Sequence, residues 1–195
     1  MGCAIGRSTF ELARGFDEVT GLDFSARFIA LGSRLKEEGR FGYAFATEGE
    51  LVTYKTVTLE AYGLEKEAQK VSFWQADACN LKPHLRGYDL IFAGNLIDRL
   101  YDPAKFLEDL HTRLNVGGML ILTSPYTWLE EYTPKEKWLG GFKRDGEDFT
   151  TLDGLKEQLL PHFRLIDTKE IPFVIKETAR KHQHTIAQMS IWERR

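Results

Sequence analysis

Only two cysteines occur in the 195 residues, Cys3 and Cys79. They are too few for a disulfide framework and lack the paired spacing of a zinc site. A reducing cytoplasm is the compartment this usage favours. No apolar run approaches the roughly 18 residues that a membrane helix needs. Met1-Gly2-Cys3-Ala4-Ile5-Gly6 has neither the basic start nor the apolar stretch of a secretory signal, so no leader is expected. No sign of charge dominates. The 26 Lys and Arg against 29 Asp and Glu give −3, which provides no polybasic field for nucleic acid or anionic lipid. There is no repeat, low-complexity tract or internal linker, and the length reads as one domain, 1–195, with one core. The G-x-S-x-G elbow, the P-loop and H-E-x-x-H are absent. What is there is a chain 43% hydrophobic with 17 glycines, suited to a small-molecule partner.

Short β-rich runs alternate with helical patterns, which predicts an α/β fold around a mostly parallel sheet. Glu18 to Asp23, Val71 to Ala76, Tyr88 to Ala93 and Met119 to Ser124 read as buried strands. Ser25 can cap a helix that repeats Phe28, Leu31, Gly32 and Leu35 on one face and ends at Gly39. A second helix starts with Asp102 as N-cap and Pro103 at N1, carries Phe106, Leu107, Leu110 and Leu114, and ends with Asn115 in the left-handed conformation. A third runs from about Thr151 to Leu160, stopped by Pro161. Residues 43–59 break this rhythm. Glu48-Gly49-Glu50 lies between two β-rich arms and predicts an inserted hairpin. The last two runs, Phe163 to Ile175 and Thr185 to Trp192, are joined too closely for a parallel crossover and should pair antiparallel.

Gly2-Cys3-Ala4-Ile5-Gly6 precedes a helical stretch from Ser8 to Arg14, so a nucleotide-like ligand can approach the bare backbone of this turn. Asp23 ends the next strand, where a carboxylate can accept hydrogen bonds from ribose hydroxyls. Arg7 stands where a dinucleotide fingerprint wants a third small residue, which fits a ligand without a diphosphate better than NAD. Ala76-Asp77-Ala78 ends the following strand, and its carboxylate can accept from an adenine amino group or serve only as a turn acid.

This order of motifs resembles the class I S-adenosylmethionine-dependent methyltransferases. The glycine turn, Asp23, Asp77, the strand Tyr88-Asp89-Leu90-Ile91-Phe92-Ala93-Gly94-Asn95 and the joint Leu114-Asn115-Val116-Gly117-Gly118-Met119-Leu120-Ile121-Leu122-Thr123-Ser124-Pro125 are collinear with it. The resemblance implies a Rossmann-like sheet with a C-terminal antiparallel pair and S-adenosyl-L-methionine as cofactor. The cofactor-binding positions it implies are Gly2, Ala4, Gly6, Asp23, Phe24, Asp77, Ala78 and Asn95. The family's first, central strand ends in an acid two positions before the first glycine. This chain has Met1 where the family usually has Leu, so that strand is expected to be missing and the domain N-terminally incomplete.

A narrower likeness lies in Gly94 to Pro103, Ser124 to Glu131, Glu136 to Gly141, Pro172 to Ile175 and Glu177 to Lys181. These segments look like the methyltransferase domain of ovothiol synthase, the 4-mercaptohistidine N1-methyltransferase family. The implied substrate is a thiol-substituted histidine, 5-thiohistidine, and the implied partner is a sulfoxide synthase domain or protein, which in many members precedes this domain in one chain. Two alternatives stay open. One is a methyltransferase of this fold acting on another small molecule, and the other is a non-catalytic adenosyl-binding or docking module.

Methyl transfer from a sulfonium is an in-line displacement in which positioning outweighs acid-base chemistry, and no metal is needed. Asn95, Asp98 and Arg99 follow the fourth strand, at the sheet edge where open α/β folds bind ligands. With Tyr126 they are the candidate catalytic residues, Asn95 or Asp98 orienting the acceptor. Arg99 can equally belong to a structural ion pair. Tyr126, Trp128 and Trp138 can face a sulfonium or imidazole from a lid, or form a local aromatic cluster. Arg180 can fork onto a carboxylate or lie solvated. His182 and His184 lack a third ligand for a metal, and Cys79 reads as a packed thiol.

Overall fold

In the computed structural model, which describes residues 1–195, helices and strands alternate as the patterning predicts. The chain divides into two compact units, residues 2–76 with 173–185, and residues 77–172 with 186–195 and Met1, where the length predicts one core. Each unit has its own buried cluster, around Phe10, Leu35, Leu64 and Val71 in the first and around Phe106, Leu120, Phe163 and Trp192 in the second. No helix is long and apolar enough to cross a membrane.

The first unit runs α1 (Arg7–Leu12), β1 (Val19–Asp23), α2 (Ala26–Glu38), β2 (Arg40–Glu48), β3 (Leu51–Thr58) and β4 (Val71–Gln75). The first element is thus α1, and β1 and β4 form a parallel two-stranded sheet of their own, from Val19↔Val71 to Asp23↔Gln75. Both expected caps of α2 are present. Ser25 Oγ accepts from the Phe28 amide, and Gly39, at φ 68°, ends the helix with its N–H on the Leu35 carbonyl. The hairpin β2–β3 begins at Arg40 rather than Tyr43, because pairing runs back to Arg40↔Thr58. Phe73 explains three glycines at once. A Cβ at Gly6 would stand 2.3 Å from its ring, one at Gly21 2.6 Å and one at Gly32 3.4 Å. The ring fills the space these residues leave, edge-on to Phe10 at 5.5 Å, and so packs turn, strand and helix together.

The second unit contains β5 (Tyr88–Gly94), α3 (Pro103–Glu108), α4 (Leu110–Arg113), β6 (Leu114–Ser124), β7 (Phe142–Arg144), β8 (Glu147–Phe149), α5 (Thr151–Leu159), β9 (Phe163–Lys176) and β10 (His182–Arg194), whose joined ends belong to the first unit. Its sheet has the order β5-β6-β10-β9, with β5 and β6 parallel and β10 antiparallel to β6. The connection between β9 and β10 is short enough that only an antiparallel pair can close it.

Two expectations change here, and one element is new. The helix predicted from Asp102 to Leu114 is broken at Asp109, which separates α3 from α4. Asn115 does not end it in the left-handed region. Leu114 passes directly into β6, Asn115 Nδ2 bonds the Gly87 carbonyl and Asp89, and the left-handed residue is Gly117, where the β5–β6 register shifts. The β7–β8 hairpin, joined by Asp145 and Gly146 at φ 54° and 88°, goes unread in the sequence although Asp-Gly is a hairpin signal.

Candidate functional site

In the first unit the candidate residues converge on the carboxyl end of β1. Gly2, Ala4 and Gly6 have φ of 62°, 48° and 97°, so left-handed residues alternate along the turn. Ala4 is the non-glycine among them and its amide donates to Asp23 Oδ2 at 2.8 Å. The Ser25 amide donates to Asp23 Oδ1 at 2.9 Å. Each carboxylate oxygen therefore holds one backbone donor and keeps a lone pair for another. Such a carboxylate is oriented before any ligand arrives and is equipped to accept from a diol. The Cys3 amide donates to the Leu22 carbonyl at 3.0 Å, which fastens the turn to β1. Phe24, 72% exposed, follows with its carbonyl held by Gln75 Nε2 at 3.0 Å.

In the second unit Asp77 is held in a comparable way. Its Oδ1 accepts from the Cys79 amide at 2.9 Å and its Oδ2 from the Tyr101 hydroxyl at 2.8 Å. Ala78 packs partly against the core. Asn95 leaves β5 at φ 50°, its amide on the Thr123 carbonyl at 2.7 Å, while the Thr123 hydroxyl donates to Asn95 Oδ1 at 3.1 Å. Its side-chain amide nitrogen stays open. At the start of this unit the Met1 amino group donates to the Phe92 carbonyl of β5 at 2.8 Å.

Asp98, on a single 3-10 turn at Ile97–Arg99, is 1% exposed. Its Oδ2 takes the Arg99 guanidinium at 2.9 Å and both the amide and hydroxyl of Thr127, at 3.1 and 3.0 Å. Oδ1 has no protein partner. Arg99 further reaches the Asp98 and Thr127 carbonyls at 2.7 and 2.8 Å and lies 5.1 Å from the Tyr132 ring centre. Its donors are thus engaged in a knot that pins Thr127 beside Asp98, the structural ion pair weighed from the sequence. Tyr126, at φ 53°, donates its hydroxyl to Gln188 Oε1 at 3.0 Å, and Gln188 Nε2 donates to Glu170 at 3.3 Å. Burial first, and then the charges of Glu170 and Asp98, push the Tyr126 phenol well above the usual tyrosine range. It stays protonated and acts as a donor, not a base.

Trp128 and Trp138 stack 6.1 Å apart, their indole N–H groups bonded to Thr151 Oγ1 and the Thr133 carbonyl, and Trp128 is buried. They are the aromatic cluster and not open lid faces. Arg180, His182 and His184 are exposed at the joined ends of β9 and β10, and no group of three or more His, Cys, Asp or Glu could hold a metal ion. Burial pushes the Cys79 thiol up, and its Sγ–H rests on the Asp102 carbonyl at 3.2 Å. Tyr101, Gln188 and Glu170 escaped the sequence reading because nothing local marks a phenol or a strand amide as the partner of a residue many positions away.

No protein-family model matches the chain, and no curated protein matches it closely. Solved structures do. The chain is similar over 99% of its length to an S-adenosylmethionine-dependent methyltransferase from Methanosarcina mazei, covering 89% of that chain at 19% identity with a TM-score of 0.61. It is similar over 99% of its length to the N-methyltransferase NodS from Bradyrhizobium japonicum in complex with S-adenosyl-L-homocysteine, covering 74% of that chain at 14% identity and TM-score 0.59. A protein described with the conversion of a disulfide bond into a thioacetal group during echinomycin biosynthesis matches over 99% of this chain and 72% of its own, at 17% identity and TM-score 0.62. The chain therefore has the α/β, Rossmann-like fold that these structures share, two of them methyltransferases.

Proposed function

We propose that the chain is an S-adenosylmethionine-dependent methyltransferase that methylates an imidazole nitrogen of 5-thiohistidine, the ovothiol-forming reaction. The observation that carries the cofactor reading is the Asp23 carboxylate, fixed by the Ala4 and Ser25 amides at a glycine turn with a lone pair open on each oxygen. Asp23 takes the ribose diol, with Gly2, Ala4 and Gly6 giving backbone access and the exposed Phe24 ring an apolar face. Asp77 and Ala78 take the adenine. The cofactor, when bound, supplies an electrophilic methyl on a sulfonium.

The protein's share is placement. Asn95 offers its open amide nitrogen to the acceptor, Asp98 and Arg99 hold Thr127 in position, and the neutral Tyr126 adds a hydroxyl. An imidazole nitrogen is nucleophilic when unprotonated, and an adjacent thiolate offsets the charge that develops on the ring, so no strong general base is required. The thiohistidine acceptor rests on the sequence likeness at 94–103, 124–131, 136–141, 172–175 and 177–181. Calorimetric titration with S-adenosylhomocysteine tests the cofactor. Mass spectrometry for the gain of one methyl group on 5-thiohistidine, against histidine and other small amines, tests the acceptor. Turnover of another amine but not the thiohistidine overturns the acceptor while leaving the methyltransferase.

A further inference from the structure

Tyr101 is placed unlike a packing residue. The chain on either side of it is anchored. The Leu100 carbonyl accepts the buried Thr133 hydroxyl at 2.6 Å, and Asp102 caps α3 through Lys105 while its other oxygen pairs with Lys137 at 2.8 Å. Tyr101 is nevertheless 47% exposed. Its hydroxyl donates to Asp77 Oδ2 at 2.8 Å. An aromatic ring left in water contributes little by burial, so the hydroxyl is the part of this side chain with work to do.

That work falls on the orientation of a carboxylate. Asp77 Oδ1 is fixed by the Cys79 amide, and a single donor leaves the group free to turn about that oxygen. The Tyr101 hydroxyl on Oδ2 removes this freedom and leaves an outward lone pair on each oxygen. Ala78, next in sequence, has an amide that donates to no protein acceptor. An acceptor and an adjacent donor, held at one turn, complement the edge of a base that presents an amino group beside an unprotonated ring nitrogen. They repel an edge that presents a carbonyl beside a ring N–H.

We infer that Tyr101 is a positioning residue that holds Asp77 for the exocyclic amino group of adenine and thereby sets the preference for adenine over hypoxanthine. This rests on the assignment of Asp77 to the adenine. A merely structural tie between two loops predicts a change in stability but no change in base preference, and the two are separable by binding.

The test is isothermal titration of the full chain and its Tyr101→Phe and Asp77→Ala variants with S-adenosyl-L-homocysteine and with S-inosyl-L-homocysteine, which carries hypoxanthine. The unaltered protein should favour the adenosyl compound by about tenfold or more, the effect of one hydrogen bond to a charged group. Tyr101→Phe should reduce that preference by roughly threefold to tenfold, through weaker binding of the adenosyl compound alone. Asp77→Ala, which leaves no acceptor, should abolish it. Loss of preference in Asp77→Ala with full preference in Tyr101→Phe overturns the role of Tyr101 and leaves Asp77 at the adenine. Unchanged preference in Asp77→Ala removes Asp77 from the adenine and the inference with it. Melting curves of the variants guard against misfolding, and Tyr101→Trp, which keeps an aromatic ring without the hydroxyl, should match Tyr101→Phe in preference.

Discussion

The Ala4 amide lies 2.8 Å from Asp23 Oδ2, so a left-handed residue of the glycine turn is tied directly to the last residue of β1. Asp23 therefore has two duties, shaping the turn and accepting from the ligand. Asp23→Ala should weaken binding of S-adenosylhomocysteine by roughly 1 to 3 kcal/mol and also lower the melting temperature, because the Ala4 and Ser25 amides lose their acceptor. Calorimetry and a thermal melt read the two effects separately. Unchanged affinity removes Asp23 from the ligand site.

Asn95 combines strain with chemistry, and two substitutions divide them. Asn95→Gly keeps the left-handed turn and deletes the amide, while Asn95→Ala deletes the amide and adds a conformational cost of about 1 kcal/mol. Both should lower kcat/KM for the acceptor about tenfold or more with cofactor affinity within a few-fold; both lose the bond from the Thr123 hydroxyl, and the alanine variant should melt earlier than the glycine one. Equal losses of cofactor binding would refute this division.

Tyr126 keeps its proton because burial and two nearby carboxylates oppose the phenolate. Tyr126→Phe should thus lower the rate without removing any ionisation from the pH profile of kcat. Loss of a basic limb in that profile would make Tyr126 a base after all.

His111 and His162 stack with ring centres 3.7 Å apart and planes 8° from parallel. Burial, and next the charge of His162, lowers the His111 pKa, with Arg194 acting in the same sense and Asp109 and the Glu108 carbonyl opposing. A histidine whose folded pKa lies below its unfolded one contributes stability that is fully present above the unfolded value of about 6.5. That contribution is lost as pH falls through the folded pKa. Denaturant melts between pH 5 and 8, on the order of physiological acidity, should show a decline on the acid side that His162→Gln makes shallower. An identical slope in the variant means the stack does not carry it.

The elements legible in the sequence are those whose signals are local. Ser25, Gly39 and the repeat between them specify α2 without help, and Pro161 marks the stop just beyond α5. The break at Asp109 was not legible, because the apolar period continues unbroken from Phe106 to Leu114 and only packing decides where the turn tightens. Asn115 misled for a related reason. Its side chain suits a left-handed residue, but Gly117 takes that conformation more cheaply and frees the amide for Gly87. Of the candidate site, Asp23, Asp77 and Asn95 were readable because each ends or follows a strand. Tyr101, Gln188 and Glu170 were not, since their partners are chosen by tertiary contact alone.

β9 borders its sheet on the side away from β6, with Ile166 and Ile171 exposed along it. A long border of this kind invites a strand from another molecule. Pro172 spoils the invitation, since it has no N–H to offer and belongs only where the ladder makes no demand on it. Arg164, Asp167, Lys169 and Glu170 add charges that an incoming strand would have to desolvate. The border is thereby a poor template for accretion with neighbouring chains.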